Sequence, residues 1–300
     1  MAMGSLLMSS SFAQIHQCGT DSYTDLQKAS DSSLHQKEKD WNTYAKAFKN
    51  VERRASKYVI PVVFHVIHVN GVGNVSQEQI KDQMRVINED FSLTNANRSG
   101  IRAPFINDAT NMEIEFRLAN IDPNGNCTNG INRVYSPFTN NSSQSTEEIK
   151  SLDGVQWNYQ QYLNVYVVNS IDNSSGTGTI LGYATLPFGT SANRDGIVVR
   201  HDRLGTIGTA ASSGDGGRTL THEIGHWLGL LHTFQGGCSG FGDGCDDTPP
   251  VLSTFTNAGA STTTGPPAPG CASFVGADVW FTATVPASGH LIFDSNTGVI

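Results

Sequence analysis

Thr221-His222-Glu223-Ile224-Gly225-His226-Trp227-Leu228-Gly229-Leu230-Leu231-His232 is the stretch from which the rest of the chain can be read. On a helix, His222 and His226 are four apart and lie one turn above the other on the same side. Glu223 sits beside the first of them. Leu220, Ile224, Trp227, Leu228 and Leu231 form an apolar stripe on roughly the opposite side, so one face is available to a core and the other to a cleft. Gly225 and Gly229 share a third side, where a backbone can approach closely. Gly229 can also break the helix and turn the chain, which returns His232 as a third nitrogen donor. Three protein ligands leave the fourth zinc position open to water, the mark of a catalytic site. Zinc brings the pKa of that water to about 7, and a neighbouring carboxylate can take its proton and pass it to a leaving amine. The competing reading is a buried amphipathic helix with three satisfied histidines. It is disfavoured because three of only nine histidines fall at these spacings around a Glu and a Gly.

These residues carry a resemblance. HEIGHWLGLLH matches H-E-x-x-H-x-x-G-x-x-H, the extended zinc motif of the metzincin metalloproteases. The flanks Arg218-Thr219-Leu220-Thr221, His232-Thr233-Phe234-Gln235-Gly236-Gly237-Cys238 and Gly244-Cys245-Asp246-Asp247-Thr248-Pro249-Pro250 are similar to its pappalysin branch. So are Val62-Val63-Phe64-His65-Val66-Ile67-His68 and Leu181-Gly182-Tyr183-Ala184-Thr185-Leu186-Pro187. The resemblance spans about residues 57–250. It implies zinc held by His222, His226 and His232, with Glu223 as general base and then acid, acting on protein or peptide substrates. It also implies that the strand near Leu181–Thr185 rims the cleft and accepts substrate in extended form on an exposed edge.

Composition narrows the alternatives. Only 15% of the 300 residues are charged and the net charge is −8, with no basic block, which argues against a nucleic-acid partner. No run approaches the roughly 18 apolar residues that span a membrane. Thirty-one glycines among many Asn, Ser and Thr suit a loop-rich secreted protein. Met1–Ala13 is short, apolar and serine-rich, and Ser11-Phe12-Ala13 has the small–x–small form of a signal-peptidase site, though without a basic start. It is read as a signal-peptide remnant, with a disordered tail as the alternative. Five cysteines suit an oxidising compartment, with disulfides available among Cys127, Cys238, Cys245 and Cys271 and Cys18 left over.

Residues 14–56 are polar, helix-prone around Gln27–Lys49, and end in the basic Val51-Glu52-Arg53-Arg54. They read as a propeptide open to a trypsin-like or autolytic cut. A thiolate is a good zinc ligand, and the segment resembles the cysteine-switch propeptides of some pappalysins. Cys18 in Cys18-Gly19-Thr20 is then a zinc latch in the zymogen; the other reading is a free or disulfide cysteine. The peptidase domain is expected over residues 57–250. Strands are expected at 58–69, Met112–Ala119, Tyr162–Asn169, Thr179–Thr185 and Gly196–His201, and helices at Ser76–Phe91 (capped by Ser76) and about Arg218–Leu228. The fold class is α/β (α+β): a metzincin-like catalytic domain with a twisted mixed sheet over the zinc helix, followed by a partial β module. His65, His68 and His201 read as core or surface histidines rather than site residues. Asp243, Asp246 and Asp247 form an oxygen-rich loop that suits calcium or is a solvated acidic loop.

The pattern breaks downstream. Metzincins carry a methionine in a turn after the third histidine, but the methionines here are at 1, 3, 8, 84 and 112, none after His232. The lower subdomain therefore reads as truncated. Residues 251–270 read as a linker and residues 271–300 as the start of a β-sandwich module. The sequence reading is a secreted zinc endopeptidase. Its alternatives are a zinc-binding, catalytically inactive domain and a binding or adhesion module.

Overall fold

The computed structural model describes residues 16–47, 57–101, 106, 109–173, 176 and 178–232. The chain divides into two compact units. The first comprises Met1–Phe91 with Glu113–Leu228 and holds every strand and α-helix described. The second comprises Ser92–Met112 with Gly229–Ile300, and its described part contains a 3-10 turn at Ala96–Gly100.

A seven-stranded mixed, twisted sheet organises the first unit. Its centre is β2 (Tyr58–His68), a run rich in β-branched and aromatic residues that is buried over its last seven positions. One side of β2 pairs in parallel with β5 (Leu163–Val168). The other side is shared by two short parallel strands, β3 (Ile114–Leu118) along Tyr58–Val62 and β4 (Ile131–Tyr135) along Phe64–His68. Outward from β5 lie β7 (Ile197–Arg200), parallel to it, and β6 (Thr179–Ala184), antiparallel to β7. The last strand, β1 (His16–Cys18), runs parallel to β6 on its outer edge.

A sheet that is mostly parallel must bury both faces. On one face, α3 (Gln77–Phe91) and α4 (Arg218–Trp227) pack Ile80, Met84, Ile87, Leu220 and Ile224 against Val62, Phe64, Val165, Val167, Ile197 and Val199. Each fully buried aliphatic side chain contributes about 1.5–3 kcal/mol. The other face receives Tyr23 from α1 (Thr20–Ser30), packed with Ile67, Tyr166, Val168, Ile180, Tyr183 and Val198. α2 (Leu34–Ala47) follows α1.

The expected elements form close to their anticipated limits. Ser76 Oγ accepts the N–H of Gln79 at 3.1 Å and so starts α3 as a cap. The described part of the helix-prone stretch around Gln27–Lys49 forms two helices, Thr20–Ser30 and Leu34–Ala47. The break falls where Asp31 Oδ1 accepts the Ser33 N–H and hydroxyl at 3.0 and 2.7 Å, a local turn that competes with helix. His65 is a core histidine: it is fully buried, its Nε2 pairs with Asn164 Oδ1 at 2.9 Å and its Nδ1 with Asn132 Nδ2 at 3.2 Å. Burial pushes its pKa down to about 4, so it stays neutral. No helix among the described residues is long and apolar enough to cross a membrane.

Candidate active site

Three carboxylates fix α4. Asp215 accepts the Gly217 N–H at 3.1 Å, a backbone donor at the helix start that has no partner within the helix, and also the Thr219 hydroxyl at 2.6 Å. Asp90, at the end of α3, pairs with Arg218 at 3.2 Å and accepts the Thr221 hydroxyl at 2.9 Å. At the other end the Trp227 indole N–H donates to the buried Asp195 at 3.2 Å. Burial raises the pKa of Asp195, and this indole bond opposes the rise. With Leu220 and Ile224 in the core, the remaining side of the helix is turned toward the edge of the sheet.

That side carries the converging groups. His222 Nε2 and His226 Nε2 lie 3.0 Å apart, with their rings edge to face. Cys18, brought in by β1, places Sγ 3.5 Å from His226 Nε2. All three residues offer a ligand atom within 4.8 Å of one another. Zn–N near 2.05 Å and Zn–S near 2.3 Å give tetrahedral edges of about 3.3 Å for N···N and about 3.6 Å for S···N. The observed separations lie close to both, so this donor set fits zinc. Glu223 is buried beside it, and Cys18 Sγ lies 3.7 Å from Glu223 Oε2. Burial, and then the Glu223 carboxylate, push the Cys18 thiol far above its ordinary range. A divalent cation between sulfur and nitrogens reverses that balance, because a coordinating thiol loses its proton.

Thr20 is the residue that sequence reading missed. Its hydroxyl donates to Glu223 Oε2 at 2.9 Å and accepts the Ala184 N–H of β6 at 3.0 Å. The Gly19 N–H donates to the Gly182 carbonyl at 2.8 Å. Cys18-Gly19-Thr20 therefore covers the histidine pair, the edge of β6 and the glutamate together. The motif was visible in the sequence; the hydroxyl's target, 203 residues away, was not.

Gly182 lets Glu223 take its place. A Cβ at Gly182 would lie 3.1 Å from Glu223 Cγ and 3.0 Å from the Val198 carbonyl oxygen. Val198 is backbone and fixed, so the glutamate must give way by a few tenths of an ångström. Since a 1 Å misplacement costs about 10²-fold, Gly182→Ala is expected to lower the kcat/KM of any reaction that uses Glu223 about tenfold. An unchanged melting temperature beside that fall would locate the effect at Glu223.

Gly229, with φ of 99°, adopts the left-handed conformation expected where the helix ends. His232 follows it in the second unit. Cys127 is exposed. Its candidate disulfide partners, the Asp243, Asp246 and Asp247 cluster, Met1–Ala13 and residues 251–300 lie outside the described residues.

Known proteins resemble this chain along most of the described part. The model of the peptidase family M43, described as pregnancy-associated plasma protein-A, matches residues 145–271 and so continues past Pro250, where the motif reading stopped. An extracellular metalloprotease of Verticillium alfalfae is 30% identical over 220 residues, covering 71% of this chain and 66% of that protein. Extracellular metalloprotease 1 of Coccidioides posadasii is 31% identical over 202 residues, covering 65% and 59%. The chain thus spans a little under two thirds of the length of these curated relatives. Among solved structures, a promirolysin variant of Tannerella forsythia superposes with a TM-score of 0.65 at 36% identity, covering 78% of this chain and 76% of that one. Mature mirolysin from the same organism, in complex with a cleaved peptide, gives a TM-score of 0.55 at 36% identity, covering 75% and 82%.

Proposed function

This chain belongs to the pappalysin family of metalloproteases, and from that premise we propose that it is a secreted, zinc-dependent endopeptidase held latent by its own N-terminal segment. The observation that carries the reading is the meeting of Cys18 Sγ with the Nε2 atoms of His222 and His226 beside buried Glu223. The cleaved peptide bound to mature mirolysin supports a peptide substrate, and relatives named extracellular metalloproteases support secretion.

In this reading His222, His226 and His232 hold zinc. When bound, zinc supplies Lewis acidity, polarising a carbonyl and lowering the pKa of water to about 7. Glu223 takes the proton of the attacking water on its carboxylate and delivers it to the departing amine. β6, once β1 leaves its edge, offers backbone groups to an extended substrate. Residues 1–13 are a signal remnant, 14–56 the prosegment, 57–250 the peptidase domain, 251–270 a linker and 271–300 the start of a β module. Calcium at Asp243, Asp246 and Asp247, and disulfides among Cys127, Cys238, Cys245 and Cys271, complete the proposal.

The test is cleavage of an unfolded protein by the purified chain, supplied with zinc and cut with trypsin in the Val51–Arg54 region. Hydrolysis is expected, is abolished by 1,10-phenanthroline, and returns with added zinc. The second reading is a zinc-binding domain without turnover. It predicts zinc binding with no hydrolysis under the same conditions.

A further inference from the structure

Tyr23 is completely buried, although it belongs to the segment proposed to leave. Its ring lies 4.7 Å from that of Tyr183 on β6, on the face of the strand opposite Gly182 and Glu223. Its hydroxyl donates to Glu147 Oε1 at 2.5 Å and receives Lys150 Nζ at 3.2 Å and Gln27 Nε2 at 2.8 Å. Lys150 is fully buried, which is rare for lysine. It pairs with Glu147 at 2.8 Å and donates to the Arg194 carbonyl at 2.7 Å. The ammonium also sits 4.8 Å from the Tyr23 ring centre and 5.4 Å from that of Tyr183.

The floor of this pocket does not depend on Tyr23. Glu147 and Lys150 come from the 3-10 turn at Glu148–Ser151 and its N-cap, Thr185 from the residue after β6 and the Arg194 carbonyl from the loop before β7, and the Thr185 hydroxyl bonds to that carbonyl. An ammonium has three hydrogens. Glu147 and Arg194 take two, and the third points to the phenol oxygen; the Thr185 hydroxyl is the longer alternative at 3.4 Å. Glu147 in turn accepts the phenol O–H. The floor therefore reads a group that both donates and accepts at the tip of an aromatic ring. Tyr183 adds an independent sign: its own hydroxyl is buried and no partner for it is found among the described residues, so the present occupant leaves one polar atom unmet.

We propose that the Glu147–Lys150–Tyr183 pocket is a recognition site for a tyrosyl side chain, filled in cis by Tyr23 in the latent chain and by a tyrosine of an incoming peptide once the arm leaves. The second half rests on the prosegment reading, but the binding chemistry does not require peptidase activity. Phenylalanine fits the walls but leaves the ammonium and carboxylate without their phenol, and a site built for a hydroxyl rejects the analogue lacking it.

The test uses the full-length chain. Tyr23→Ala opens a phenol-sized cavity, and phenol is expected to raise its melting temperature while benzene raises it far less; neither moves the parent. In Cys18→Ala/Tyr23→Ala/Glu223→Gln, which loosens the arm and blocks hydrolysis, a fluorescent tyrosine-containing peptide is expected to bind about tenfold tighter than its phenylalanine counterpart, and Lys150→Met should erase the difference. Equal responses to phenol and benzene, or equal affinities for the two peptides, overturn the inference. If Tyr23→Ala does not fold, Tyr23→Phe decides the point: it keeps the ring, and melting with the parent would mean the hydroxyl is not read. Inactivity of every form toward peptides would count against the peptidase reading and leave these binding results intact.

Discussion

Replacing Glu223 with glutamine is expected to lower peptide-hydrolysis kcat/KM by about 10²–10⁴-fold, the usual contribution of a positioned general base. Glutamine has the same shape, and its carbonyl oxygen can still accept the Thr20 hydroxyl that now bonds Oε2 at 2.9 Å. The packing around this 1% exposed side chain should therefore survive. Only the capacity to take a proton is lost. The fall should appear in kcat with KM little changed, and zinc content should match the parent, because Glu223 is not among the proposed ligands. Rates and metal content measured side by side check this. Undiminished cleavage in Glu223→Gln would remove the glutamate from the mechanism.

The second large effect is expected from Cys18→Ala in the uncut chain. A hydrogen bond or contact to a charged group contributes about 1.5–3 kcal/mol, so losing the sulfur should raise the open fraction, and with it the initial rate, by about 10–100-fold. Full activity is not expected. The Gly19 N–H still binds the Gly182 carbonyl, and Thr20 still occupies Glu223. Adding Thr20→Val should release a further increment, since valine cannot donate to the carboxylate. Initial rates of the uncut single and double variants provide the measurement. If Cys18→Ala is no faster than the parent, the sulfur is not the latch.

What could be read from the sequence follows the reach of each signal. The zinc helix was legible because its apolar stripe, paired histidines and terminal glycine are all local. So was α3, where Ser76 and the Ile80–Met84–Ile87 face agree. β1 was not: His16–Cys18 has no strand pattern of its own, and is a strand because the edge of β6 supplies its partners. β4 was also missed, since five residues of mixed polarity acquire their order from the upper half of β2. The break between α1 and α2 was present in Asp31-Ser32-Ser33, a turn-prone run within a helix-prone one. Lys150 gave no hint. A lysine is normally a surface residue, and only the fold brings Glu147 and the Arg194 carbonyl to it.

The short edge strand β1 also has a consequence for how the proposed latch would open. The arm is held by β1 on the edge of β6, by Thr20 on Glu223, by Tyr23 and by Gln144 on Gly19 and Ser22, and the intact chain adds a high effective concentration beside its site. A single cut in Val51–Arg54 would break no contact of the latch. It would turn an intramolecular hold into an ordinary complex of two pieces, whose survival depends on dilution. Release into a large volume would then favour the free enzyme, while crowded molecules near their source would keep one another quiet.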